Sequence, residues 1–479
     1  MENHIKCEGD QVPLGYFKKS TRTHISFLAF ILTLTIHSCS TSSSGLEKDF
    51  IKGVYGNPGT LLEAGHNFDE LGVNAIFVRS HSLNDELYDT SRDQGCKIFV
   101  EFPVLLGKNF LEHNSQCQPL EANGEPSPPA DWFMGICPTC PDFKANRKQH
   151  LKSILNKYEV DGIFLDYLHW HAQFETDEPI LPETCFCERC TELFANQYNI
   201  ELPTESVSDI SNHILTFHDK EWREWRKSVL TDWIIDLKQI LKSHQPQALL
   251  GLFYCAWYPE DYDSALYRTL GIDINDFSRE ADVLAPMLFH RMKDRPVNWV
   301  GEYTSWLDSV NSAVSSGNKP KIWPIVQAHN NPGEVSPSEF REVMLQGSSF
   351  PSSGIMMFSD GALLQDPRKI GIMRDIYLSD DEQKTDQVKG ASLKGEIVKE
   401  LGNNIMVIFQ DSKNNFWFGS WETGVYKYDG VQLVNYSTKH GLPNNRIDEI
   451  KEDHSGNIYF TSCHPKSTIS KFDGNTFTT

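Results

Sequence analysis

From Ile51 to about Ser379, short apolar runs alternate with longer stretches whose apolar residues recur at intervals of three and four. The runs read as strands over Ile51 to Tyr55, Val73 to Arg79, Lys97 to Pro103, Asp161 to Tyr167, Ala248 to Cys255, Asp282 to His290, Lys321 to Ala328 and Gly354 to Ser359. Between them, patterns such as Phe143 to Tyr158, Lys220 to His244 and Asn298 to Ser315 read as amphipathic helices. Such alternation predicts an α/β fold with a parallel sheet wrapped by helices. Eight repeats in about 330 residues fit a (β/α)8 TIM barrel. A doubly wound open sheet is the alternative, and it lacks support because no Gly-rich phosphate loop follows an early strand.

Two connections outrun ordinary loop length: Val104 to Asp142 after strand 3, and Leu168 to His218 after strand 4. Long insertions at the C-terminal ends of barrel strands shape binding clefts. These two carry Trp132, Phe133, Trp170 and Phe174, aromatics that either stack on sugar rings or pack the insertion on the barrel.

The periodicity changes beyond Leu378, where a polar stretch reads as a linker over residues 380–402. An internal repeat follows over 403–479. Ile408, Asp411, Phe416, Trp417 and Phe418 return 42 residues later as Ile450, Asp453, Ile458, Tyr459 and Phe460, and Tyr428-Asp429-Gly430 returns as Phe472-Asp473-Gly474. A period near 42 with Asp-Gly turns suits a four-stranded propeller blade. With Gly441-Leu442-Pro443 between the copies, the segment resembles the two-component-regulator propeller repeats of bacteria. We expect an incomplete propeller, whose missing blades are a route to a protein partner.

The N-terminal segment, residues 1–45, follows neither pattern. Lys18, Lys19 and Arg22 precede the twelve-residue apolar run Ile25 to Ile36, too short to span a bilayer and suited to the core of a secretory signal. Cys39 stands behind it, before the Ser/Thr tract Ser40 to Ser44, as in a bacterial lipoprotein signal. This predicts export with Cys39 lipidated and membrane attachment through that anchor alone. An ordinary cleaved signal or an interfacial helix is the alternative. The barrel domain is then 46–379.

Composition excludes some classes of function. The 479 residues are 39% hydrophobic and 11% aromatic, which rules out global disorder. A net charge of -21 repels phosphate backbones, so no nucleic acid partner is expected.

The eleven cysteines are informative through their clustering. Cys185, Cys187 and Cys190 form C-x-C-x-x-C, and Cys137 and Cys140 form C-x-x-C upstream. Thiolates so spaced can converge on one tetrahedral Zn2+ from a tight turn. The expectation is a structural, non-catalytic zinc site with three ligands from the later cluster and one from Cys137 or Cys140, and with Cys117 a weaker candidate. Disulfides such as 137 with 140 are the alternative.

Catalytic groups of a barrel belong at the C-terminal strand ends. Asp166 ends a dry apolar strand there. Other strand ends supply Arg79, His81, Glu101, Glu260, Asp261, His290, Gln327, His329 and Asp360. Two carboxylates flanking a bond are what glycoside hydrolysis requires. Asp166 is the expected nucleophile and Glu260 the expected acid/base, followed by Asp261, Glu101 and, in the insertion, Glu175. Arg79, His81, Glu101, His169, His171, Trp257, Asp261, His290, Gln327, His329 and Asp360 are the expected substrate contacts. The competing readings are a non-catalytic glycan-binding barrel and a surface sensor or scaffold built around the propeller.

The run Ile136-Cys-Pro-Thr, Val160-Asp-Gly-Ile-Phe-Leu-Asp-Tyr, Thr184-Cys-Phe-Cys-Glu-Arg-Cys and Ala281-Asp-Val-Leu-Ala-Pro-Met resembles the glycoside-hydrolase-like barrels of bacteria. The cysteine cluster is also similar to the zinc cluster of certain microbial β-galactosidases. Those enzymes carry Glu after strands four and seven where this sequence has Asp166 and Gln327. The resemblance therefore implies a barrel acting on carbohydrate, with Asp166 the matched position, and not their substrate or mechanism.

Overall fold

The computed structural model describes residues 50–478 except 177, 315–318, 379–395, 399, 403, 413–414, 429–432, 454–455, 463–467 and 473–476. The N-terminal segment expected to be a signal, with Cys39, most of the linker and the two Asp-Gly turns lie outside the described residues.

All eight expected apolar runs form strands of one parallel sheet: β1 (Ile51–Gly56), β2 (Ala75–Arg79), β3 (Lys97–Pro103), β4 (Gly162–Asp166), β5 (Leu249–Cys255), β6 (Val283–Leu288), β7 (Lys321–Ile322) with β8 (Ile325–Gln327), and β9 (Gly354–Phe358). β7 and β8 are two halves of one stave, separated by Trp323 and Pro324, which has no N–H to give the ladder. β1 pairs with both β2 and β9, and β5 with β6, so the sheet closes into a (β/α)8 barrel. The expected helices form at Pro141–Lys157, Asp219–His244 and Trp299–Val314.

Side chains alternate in and out along each stave. The lower interior is a cluster of rings. Phe77 stacks on Phe99 at 4.8 Å between centroids, and Phe164 lies 5.2 Å from Phe253 and 5.8 Å from Trp323. Glycines on neighbouring staves make room for them. A Cβ on Gly251 would stand 2.2 Å from the Phe164 ring, and one on Gly53 would stand 2.5 Å from Phe77. Two residues further along the same strands the inward positions become Tyr55, Arg79, Glu101 and Asp166. Register puts Arg79 beside Glu101, and Asp166 one step above the neighbour of Glu101, Phe164.

The C-terminal strands are antiparallel and follow the 42-residue repeat. β10 (Glu396–Val398) joins the sheet of β11 (Ile405–Gln410), β12 (Phe416–Ser420), β13 (Val425–Tyr428) and β14 (Leu433–Tyr436). A second sheet contains β15 (Glu449–Glu452), β16 (Ile458–Ser462), β17 (Thr468–Phe472) and β18 (Phe477–Thr478). The repeated aspartates explain the period. Asp411 accepts from the Asn415 amide and from Trp417 Nε1, and Asp453 accepts from the Asn457 amide and Tyr459 Oη, so each ties the first hairpin of its blade. Trp417 packs between the sheets, 5.6 Å from both Phe460 and Phe472. Two propeller-like blades are thus present among the described residues. No helix among those residues is long and apolar enough to cross a membrane.

Candidate active site and cysteine cluster

A cleft of about 590 Å³ opens over the upper layer of the barrel. Three carboxylates reach it: Glu101 from β3, Asp166 from β4 and Glu175 from the insertion after β4. Asp166 is 5% exposed, yet its oxygens are placed with care. The Tyr167 amide donates to Oδ1 at 2.7 Å, because Tyr167 turns back in the left-handed region at φ 52°. Tyr55 Oη donates to Oδ2 at 3.3 Å.

Burial without a full counter-charge dominates the electrostatics. It pushes the Asp166 carboxyl up to about 6, while the Tyr167 amide, Tyr55 and Arg79 pull it back. Glu101 rises to about 8, through burial and then through the charge of Asp166. Arg79 Nε is 3.6 Å from Glu101 Oε2, too far for a hydrogen bond, and that oxygen has no hydrogen-bond partner among the described residues. Glu175 is pushed up to about 7 by burial and Asp166, with Lys293 and Arg79 opposing. Near neutral pH the site therefore holds an ionised carboxylate next to carboxyls able to give a proton.

Glu175 owes its place to a local hairpin. Gln173 and Ile180 exchange backbone hydrogen bonds of 2.9 Å, and the Glu175 amide donates to Gln173 Oε1 at 2.7 Å. Lys293, beyond β6, donates to the Phe174 carbonyl, its ammonium lying 5.4 Å from the Phe174 ring centre and 5.2 Å from that of Trp257.

Of the residues expected from sequence, Asp166, Arg79, His81, Glu101, Glu175 and His329 line the cleft. His329 is held neutral by burial, which pushes its imidazole down to about 4, and its buried Nε2 has no hydrogen-bond partner among the described residues. The expected acid/base Glu260 requires correction: it is exposed in the turn after β5 and does not line the cleft. Asp261, beside it, is consumed locally, accepting from the Tyr258 amide at 2.9 Å and pairing with Arg295 at 2.8 Å.

Six other expected contacts also lie elsewhere, each for a visible reason. His171 accepts from the Gly135 amide at Nδ1 and donates to the Pro128 carbonyl from Nε2, joining the two insertions. His169 is buried against the Trp170 carbonyl. Trp257 is buried beneath Lys293. His290 binds Glu339 at 2.7 Å. Gln327 accepts from the Arg291 amide and donates to the His329 and Asn331 carbonyls. Asp360 accepts from the Asn57 amide and Thr60 Oγ1, tying the end of β1. Tyr55, Tyr167 and Asn331 are polar cleft residues that sequence reasoning missed. A strand-end tyrosine at β1 was the available signal.

Within the two insertions, Cys137, Cys185, Cys187 and Cys190 are buried with their sulfurs all within 4.8 Å of one another. Four convergent thiols fit a tetrahedral soft-metal site. The thiols of Cys185, Cys187 and Cys190 hold the Cys137 sulfur well below the usual thiol range, and Thr139 Oγ1 lies 3.2 Å from it. Arg189 Nη2 also donates to it, at 3.4 Å. Cys140 is not a fourth ligand, nor is Cys117 a spare one: they form a disulfide, with Cα atoms 5.5 Å apart. Cys140 directly precedes the Pro141–Lys157 helix, at its N-cap.

Residues 399–422 match the family described as two component regulator propeller. The barrel is similar to the PgaB glycoside hydrolase domain of Bordetella bronchiseptica at a TM-score of 0.51 and 14% identity, covering 69% of this chain and 99% of that one. It is also similar to a β-galactosidase from Bacillus circulans sp. alkalophilus (TM-score 0.47, 13% identity, 65% of this chain and 50% of that one). A third is α-L-fucosidase isoenzyme 2 from Paenibacillus thiaminolyticus (0.45, 11%, 71% and 50%). The chain thus spans about half the length of the latter two. The likeness to the first shows a TIM-barrel fold. No curated protein matches the sequence.

Proposed function

We propose that this protein hydrolyses glycosidic bonds of an oligo- or polysaccharide. The observation that carries the reading is the convergence of Asp166, Glu101 and Glu175 on one cleft, at carboxyl affinities spread from about 6 to about 8. A pair of carboxyl groups with separated proton affinities is the requirement of the reaction. Asp166, the most acidic of the three, attacks the anomeric carbon or activates a water. Glu175, carried on a loop and not on a neighbouring stave, gives its proton to the departing oxygen. Glu101, protonated at neutral pH, donates a hydrogen bond to the sugar, and Tyr55 and the Tyr167 amide orient Asp166.

Hydrolysis of aryl glycosides and of plant and algal polysaccharides by the full chain tests this. Asp166→Asn should lower turnover by about 10³-fold or more while glycan binding persists. Glu175→Gln should lose turnover chiefly on substrates with poor leaving groups, and kcat/KM should peak between about pH 6 and pH 7. An Asp166→Asn variant within about 10-fold of wild type overturns the assignment. The second reading is a non-catalytic glycan-binding barrel, favoured by the depth of Asp166. It expects a glycan-binding wild type without turnover.

The four clustered cysteines would hold a structural Zn2+ that pins the two insertions framing the cleft. A closed set of thiolates leaves no position for water, so the ion would take no part in catalysis. Metal analysis of purified protein should give about one zinc per chain, lost in a Cys185→Ser variant, and a metal-free wild type would refute it. The Cys117–Cys140 disulfide supports an oxidising compartment, in keeping with export and an anchor at Cys39.

A further inference from the structure

Among the described residues two tryptophans are largely exposed, Trp132 at 47% and Trp421 at 41%. The second is covered in another sense: the Arg446 guanidinium sits 3.7 Å from its ring centre. Trp132 instead lines the cleft that holds Asp166 and Glu175. An indole left in water at the mouth of such a cleft is a large apolar face awaiting a partner.

Its support is rigid. Trp132 lies in a tight turn closed by hydrogen bonds of 2.9 and 3.1 Å between Ala130 and Phe133, with Asp131 at φ 56°. The adjoining Phe133 is 1% exposed and stacks on Tyr167 and His171, each 5.8 Å away. The same Tyr167 meets Trp132 at 5.9 Å and 83°, an edge-to-face contact. The residue whose amide orients Asp166 thus also braces the indole, and the distance from reacting carboxylate to exposed ring is set by one side chain. His171, hydrogen-bonded at both ring nitrogens, fixes the base of the stack.

We infer that Trp132 is a stacking platform for a second sugar ring, beside the one at Asp166, so that the ligand is a glycan of several residues and not a single sugar. The apolar face of a pyranose covers the indole while its hydroxyls stay in water. The inference rests on the carbohydrate reading of the cleft, but it requires binding alone and not turnover.

Migration of the full chain in native gels containing a soluble β-glucan, a galactomannan or an alginate tests it. Wild type should be retarded by at least one of the three. Trp132→Ala should weaken that binding by roughly 10- to 100-fold, and Trp132→Phe should restore most of it. Thermal melting should place both variants with wild type, since the residue stands in a surface turn. In an active protein, the loss of affinity for the polymer should exceed any loss for an aryl monoglycoside at least 10-fold, by roughly the weight of one stacked ring. Wild-type retardation by Trp132→Ala, or a wild type retarded by none of the three gels, overturns the inference. If Trp132→Ala loses binding while the wild type turns over no glycoside, the platform stands and the hydrolase assignment falls.

Discussion

Moving two residues along β2, β3 and β4 replaces Phe77, Phe99 and Phe164 by Arg79, Glu101 and Asp166, all pointing into the same barrel. The lower set is fully enclosed in aromatic contacts and has glycine neighbours that fit its rings. The upper set is as deeply buried at Glu101 and Asp166 but is left short of partners. One backbone therefore carries two opposite uses of burial. In the lower layer burial stabilises, at roughly 1.5 to 3 kcal/mol per large apolar side chain. In the upper layer it raises the cost of charge, and that cost is what separates the proton affinities of the three carboxyls.

The largest effect that would sharpen this contrast is the removal of a lower ring. Phe164→Ala takes away contacts with Phe77, Phe99, Phe253 and Trp323, and the rigid staves cannot close the cavity. A loss of about 3 to 5 kcal/mol is expected in urea unfolding, with the folded fraction still binding glycan. A loss under about 1 kcal/mol would show that the rings are not the barrel's structural core.

The two layers also explain what could be read from sequence. A dry strand closing on a charged residue, as in Ile163-Phe-Leu-Asp166, encodes both layers in four letters, so the staves and the strand-end groups Arg79, Glu101 and Asp166 were legible. Loops beyond the strand ends have no such periodicity. Glu260 lies five residues past the end of β5, where the chain turns outward, and Asp261 is spent on Arg295 and its own turn. Glu175 lies further still from its strand, and only the Gln173–Ile180 hairpin and Lys293, which has to come from beyond β6, return it to the cleft. The cysteines divide in the same way. Spacing identified the converging set, but the choice between Cys137 and Cys140 depended on where a helix starts and on Cys117, 23 residues away from Cys140.

The smaller and finer effect concerns the upper layer itself. Glu101 binds its proton more tightly in the folded protein, near 8, than in the unfolded chain, where a glutamyl group sits near 4.5. Between those values the folded state holds more protons than the unfolded state, so stability falls as pH rises through this window. Glu101→Gln removes the penalty. The variant should match wild type near pH 4, exceed it by roughly 1 to 2 kcal/mol near pH 8.5 in urea unfolding, and show the shallower decline between them. The figure is held below the full single-site value because Glu101 titrates together with Asp166, so the shift belongs to the pair and not to Glu101 alone. Parallel stability curves for the two proteins would mean that Glu101 is not a strained upper-layer group, and the contrast between the layers would then rest on Asp166 and Glu175 alone.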